Sequence, residues 1–165
     1  MKIKVFSELQ IQKFKTEEKH IVVSFQDPNC DFVKLPEQSS RVAWIGFHCY
    51  DLDDDCGQFP YSRFLFERKH AKELLDFINT WKDKVGLIVI NCVAGVSRSM
   101  GAAAALGKIL NGEDAQFFKE GCPNMRIYRM LLEEHFGPTF KYKKSKESSM
   151  FDRMSDNSFE SLFED

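Results

Sequence analysis

Cys92 and Arg98 stand six positions apart in the stretch NCVAGVSRSMG, residues 91–101. The stretch follows an apolar run, VGLIVIN, and leads into an alanine-rich segment with helical spacing. A thiol at the carboxyl end of a buried strand lies where open α/β sheets place their sites. Gly95 allows the sharp turn from strand to helix. The main-chain N–H groups of such a turn, together with a helix N-terminus, form a concave anion site. The same field favours a thiolate over a thiol. Arg98 adds a planar, permanently charged fork suited to phosphate oxygens. Ser99 can hydrogen-bond the sulfur and help it depart. These residues fit attack by sulfur on phosphorus, with hydrolysis of the resulting thiophosphate ester by water. Charge stabilisation would come from Arg98 and from the loop Val93-Ala94-Gly95-Val96-Ser97, so the chemistry calls for no metal or other cofactor.

The flanking chain supplies elements to carry such a loop. Residues 1–6 (MKIKVF), 20–25 (HIVVSF), 41–50 (RVAWIGFHCY) and 85–91 read as strands, the last apolar throughout as a central parallel strand should be. A short helix is expected within SELQIQKFKTEEKH. From Ser62 to Lys82, Phe66, His70, Leu74, Phe77 and Trp81 recur at helical spacing. A helix after Arg98 closes at Asn111-Gly112. EDAQFFKEG forms another, and NMRIYRMLLEEHF, residues 124–136, forms the last. Strands alternating with helices predict an α/β fold: a mainly parallel sheet of four or five strands flanked by helices. Residues 1–140 form the expected domain. Residues 141–165 are basic first and acidic last, rich in serine, and read as a disordered tail in which Phe159, Leu162 and Phe163 could form a short helix.

Cys92-x5-Arg98-Ser99 resembles the signature of the cysteine-dependent protein tyrosine phosphatases. The fuller string Cys92-x-Ala94-Gly95-x-Ser97-Arg98-Ser99 is similar to the small dual-specificity branch. Pro123-Asn124-x-x-Ile127-x-x-Met130-Leu131 resembles that family's segment before its last helix, and NMRIYRMLLE and FHCYDLDDD look like its bacterial and phage-encoded members. The resemblance covers residues 1–137. It implies a tyrosine phosphatase-like fold, Cys92 as nucleophile, Arg98 as phosphate clamp, and Asn124 bracing the phosphate loop with its side chain. Asn124 also suits a helix N-cap. Two positions depart from the pattern. Asn91 replaces the usual histidine before the nucleophile, keeping a hydrogen bond for loop support but no positive charge. Met130 stands where glutamine is common.

Departure of an alkoxide or phenoxide needs a proton. The resemblance places the donor on the loop after the third strand, where Asp51, Asp53, Asp54 and Asp55 cluster. Alignment of IGFHCYD favours Asp51, with Asp53 next. The implied substrate is a phosphoprotein carrying phosphotyrosine, and phosphoserine or phosphothreonine as well if the cleft is shallow. No lysine lies inside the loop to favour a highly anionic lipid headgroup. Two alternatives stand beside this: a phosphatase for a nucleotide or RNA phosphate, and a poorly active domain that binds phosphoprotein. The C-x5-R motif of arsenate reductases and low-molecular-weight phosphatases lies near the N-terminus instead.

Composition agrees with a single soluble domain. The 165 residues carry 23 Lys+Arg against 25 Asp+Glu, net −2, which gives no field to attract nucleic acid. No apolar run is long enough to span a membrane, and MKIKVFSELQ lacks a secretory core. Five cysteines form no regular framework, so a reduced, cytoplasmic setting is expected, with Cys30, Cys49, Cys56 and Cys122 as structural thiols. A zinc set of His48, Cys49 and Cys56 would lack the usual paired CxxC. The oligomeric state is left open by the sequence.

Overall fold

The computed structural model describes residues 1–53 and 64–140. The expectations for Asp54, Asp55 and Cys56, and for the 141–165 tail with Phe159, Leu162 and Phe163, lie outside the described residues.

Four strands, β1 (Lys2–Ser7), β2 (His20–Gln26), β3 (Arg41–His48) and β4 (Leu87–Cys92), form one sheet in the order β1-β4-β2-β3. Every pairing is parallel. The two inner strands, HIVVSFQ and LIVINC, are buried along their whole length, which explains their continuous apolar runs. Edge strand β1 instead exposes Lys2 and Lys4, charges that discourage pairing with another chain.

Alternation along β2 and β4 divides the core between the two faces. Ile21, Val23, Phe25, Ile88, Ile90 and Cys92 join the larger cluster, beneath α2 (Arg68–Trp81), α3 (Arg98–Asn111), α4 (Ala115–Glu120) and α5 (Met125–Phe136). Val22, Leu87 and Val89 face the other way, under Ile11, Phe6, Phe14, Val33 and Leu35. That second face is therefore covered by the four-residue helix α1 (Glu8–Ile11) and by irregular chain rather than by a full helix. The Ser7 hydroxyl accepts from Gln10 N, and the Gln10 side chain accepts from Ser7 N, a capping box that starts α1 directly after β1.

Several boundaries differ from the sequence expectation, each for a local reason. The α2 helix begins at Arg68, because Glu67 N donates to His70 Nδ1 and caps it there. Burial among Phe47 and Phe66 holds the His70 pKa below its ordinary value, with nearby Lys69 adding to the effect. The buried stripe of α2 runs through Ala71, Leu74, Leu75 and Ile78, with Phe77 and Trp81 only partly buried, since the helix packs against both β3 and α5. β3 ends at His48: Cys49 N still reaches Gln26 O, but Tyr50 N turns to Phe64 O. β4 extends to Cys92, which pairs with Ser7.

Candidate functional site

Residues 92–98 leave β4 and curl into α3. Gly95 makes the curl possible in two ways. Its φ is +75°, in the left-handed region, and a Cβ there would lie 2.7 Å from Ser7 N. The loop thus rests on the β1–α1 junction, where Glu8 N also donates to Val93 O at 3.2 Å. At its base, Cys92 is buried. Gly95 N donates to its Sγ at 3.2 Å, and Ser99 Oγ lies 3.0 Å from the same sulfur. A main-chain N–H and a hydroxyl thus both lie within hydrogen-bond reach of the sulfur.

Arg98, the first residue of α3, is only 4% exposed. Its Nη1 donates to Asp27 Oδ1 and to Cys49 O, each at 2.7 Å. Its Nε is buried with no partner. A buried guanidinium with one end anchored and an N–H left over is arranged to meet a further acceptor. The side chain of Ser97, the N-cap of α3, makes no hydrogen bond to its own helix. It donates instead to Asp51 Oδ1 at 2.6 Å. Without a capping side chain, the start of this helix can serve an anion.

Asp51 follows β3 and reaches the loop through Ser97. The same Oδ1 accepts from Asn124 Nδ2 at 2.8 Å. The role expected of Asn124 divides in a way the resemblance did not imply. Its main chain braces the loop, Asn124 N donating to Ser97 O at 3.1 Å beside Cys122 N to Val96 O at 2.9 Å. Its side chain caps α5, accepting from Ile127 N at 3.0 Å, and turns its amide N–H to Asp51. Gly101 lets these segments approach, since a Cβ there would fall 2.5 Å from Asn124 O. Asp53 does not share Asp51's contacts with the loop: its Oδ1 accepts from Met125 N at 2.8 Å.

Asn91 points to the opposite sheet face. Its Oδ1 accepts from Ser24 Oγ at 2.7 Å, and Ser24 Oγ accepts from Trp44 Nε1 at 2.9 Å. The carbonyl end of Asn91 is thus spent within the sheet. Met130 packs against the core from α5. Of the other cysteines, Cys49 is buried next to Arg98, whereas Cys30 and Cys122 are exposed and so are not core thiols. Burial pushes the Cys49 thiol up to about 12, against a downward pull from Arg98. His48 Nε2 meets Cys30 O at 2.9 Å. Among the described residues, no three His, Cys, Asp or Glu are grouped as a metal would need.

Sequence reasoning missed Asp27, Ser24 and Trp44. A signal existed for Asp27, an acidic residue just past the carboxyl end of a buried strand. None existed for Ser24 or Trp44, whose contact with Asn91 depends on strand order and register.

Neither the family models nor the curated proteins contain a match to this chain. Among solved structures, it is similar to a human tyrosine phosphatase-like serine/threonine/tyrosine-interacting protein. The TM-score is 0.57 at 16% identity, over 81% of this chain and 91% of the other. The fold is therefore tyrosine phosphatase-like: an all-parallel four-stranded sheet flanked by helices. Among the described residues, no helix is long and apolar enough to cross a membrane.

Proposed function

We propose that this protein is a small phosphatase of the dual-specificity type, hydrolysing phosphate monoesters on proteins through a cysteinyl-phosphate. The observation that carries this reading is the pairing of a buried sulfur, Cys92, held by Gly95 N and Ser99 Oγ, with a buried Arg98 whose Nε is unpartnered. Cys92 Sγ attacks phosphorus, the phosphate oxygens take up Arg98 and the 93–97 main chain, and the ester oxygen leaves with a proton from Asp51. Water then cleaves the P–S bond, and Ser99 stabilises the departing sulfur. Two donors meet on Asp51 Oδ1, which leaves Oδ2 to carry the transferable proton.

A protein substrate suits the rim better than a polyanion does. Val93 and Val96 on the loop and Leu9 on the adjoining α1 are exposed hydrophobics. Asp51 lies beside the loop, Asp53 lies against the start of α5, and Asp27 is paired with Arg98. Exposed apolar side chains at the rim suit a peptide better than a nucleic acid or an inositol phosphate, whose binding calls for clustered positive charge. A phosphoprotein-binding domain of little activity is the second reading, favoured by Asn91 and by the phosphatase-like, interacting protein that shares the fold.

The test is hydrolysis of p-nitrophenyl phosphate and of phosphotyrosine peptide with EDTA present, for the unaltered protein and Asp51→Asn. Turnover is expected, with Asp51→Asn slowing the poorer leaving group by about 10²-fold. Tight phosphopeptide binding without turnover would replace this reading with the second.

A further inference from the structure

The acid-bearing segment is tied to the start of α5 by three hydrogen bonds. Asn124 Nδ2 donates to Asp51 Oδ1 at 2.8 Å, Met125 N to Asp53 Oδ1 at 2.8 Å, and Arg129 Nη2 to Asp53 O at 3.3 Å. The first four N–H groups of a helix have no partner inside it, and two of those of α5 are satisfied here from outside the helix. Ile127 N is taken by Asn124, the N-cap, and Met125 N by Asp53. The negative charge of Asp53 also lies at the favourable end of the helix dipole. The start of α5 is in turn fixed to the phosphate loop, through Asn124 N to Ser97 O and Cys122 N to Val96 O. The segment bearing Asp51 and the loop bearing Cys92 are thus registered against one common body.

We infer that Asp53 is a positioning residue for the proton donor: by capping α5 at Met125 it holds Asp51 over the phosphate loop. This rests on the proposed role of Asp51. It also explains why two aspartates two residues apart do different work. Asp51 turns to Ser97 and Asn124 across the loop, while Asp53 is committed to a main-chain N–H. A carboxylate is not required for that bond, since an asparagine Oδ1 accepts it too, losing only the attraction of a negative charge for the helix N-terminus.

The experiment measures kcat/KM over aryl and alkyl phosphates of graded leaving-group pKa, for the full chain and for Asp53→Ala, Asp53→Asn and Asp51→Asn. Asp53→Ala is expected to lose on the order of tenfold on the poorest leaving groups and little on p-nitrophenyl phosphate, because misplacing a donor matters only where a proton is needed. Asp53→Asn is expected to restore most of that loss. Asp51→Asn should show the steepest dependence and no rescue. An Asp53→Ala profile parallel to wild type, whether equal or uniformly lowered, overturns the inference. So does an equal, leaving-group-dependent loss in Asp53→Ala and Asp53→Asn, which would make Asp53 the proton donor. If the unaltered protein turns over none of the esters, the proposed function fails and takes this inference with it. Turnover with an unresponsive Asp53→Ala sinks this inference alone.

Discussion

Arg98 presents a fork with one end already occupied. Asp27 and the Cys49 carbonyl hold Nη1, and the buried Nε awaits an acceptor. A lysine could keep the charge but could not span the Asp27 anchor and a phosphate oxygen in one plane. Arg98→Lys is therefore expected to lower kcat/KM for p-nitrophenyl phosphate by about 10²- to 10³-fold, with thermal stability as the control for folding. Cys49 offers a test that needs no substrate. Its thiol is raised by burial from 9.0 to about 12. Below its unfolded-state value both states hold the proton, and the contribution to stability is complete. As pH rises from about 9 toward 12 the unfolded chain ionises first and stability falls, by on the order of 4 kcal/mol at most for a shift of this size. Alkaline denaturation curves should be flatter over that window in Cys49→Ala, and an identical slope would contradict the burial argument. At this scale the sequence marked Cys92, Arg98, Ser99 and Asp51 as candidates, because the loop residues are contiguous and Asp51 lies just past a strand, three residues beyond the end of β3 at His48. Asp27 lies 71 positions from Arg98, and only the parallel pairing of the strands brings the two together.

The elements were legible where their periodicity was unmixed. β4 is apolar because both its faces are covered, and α3 is alanine-rich because it packs on β4, β1, α4 and α5. In α2 the aromatic spacing marks Leu74, Phe77 and Trp81, while the buried positions also include the smaller Ala71, Leu75 and Ile78, which large aromatics outweigh in the pattern. The double use of Asn124 had a sequence signal only for its cap. Its reach to Asp51 depends on α3 and the 122–124 segment lying close together, which Gly101 permits. Gly101→Ala is the corresponding test. The added methyl meets main chain at 2.5 Å, so α3 and the 122–124 segment must separate. A loss of about 1–3 kcal/mol in denaturant unfolding is expected, accompanied by slower turnover as Ser97 and Asn124 move apart. Gly112→Ala, in open space at φ +78°, should cost less and leave turnover alone. Equal effects of the two on turnover would show that close approach at Gly101 does not set the site.

Over the whole molecule, one end of the sheet gathers the candidate residues. The carboxyl ends of β1, β2, β3 and β4 deliver Ser7, Asp27, Asp51 and Cys92 to the same side, and Asn124, the N-cap of α5, bonds to Asp51 there. Parallel pairing makes this possible, since every strand ends in the same direction. The sequence indicated the class of sheet but not its order, nor that irregular chain covers one face, because strand order leaves no periodic trace. In the proposed reaction Cys92 carries phosphate between the ester and water. Ser99→Ala should slow departure of the sulfur, so that the phosphoenzyme accumulates during hydrolysis of p-nitrophenyl phosphate. After rapid denaturation, mass spectrometry is expected to find one phosphoryl group on the peptide containing Cys92, and Cys92→Ser protein should show neither that adduct nor turnover. Steady hydrolysis by Cys92→Ser protein, with phosphate released and nothing on residue 92, would rule out a cysteinyl-phosphate.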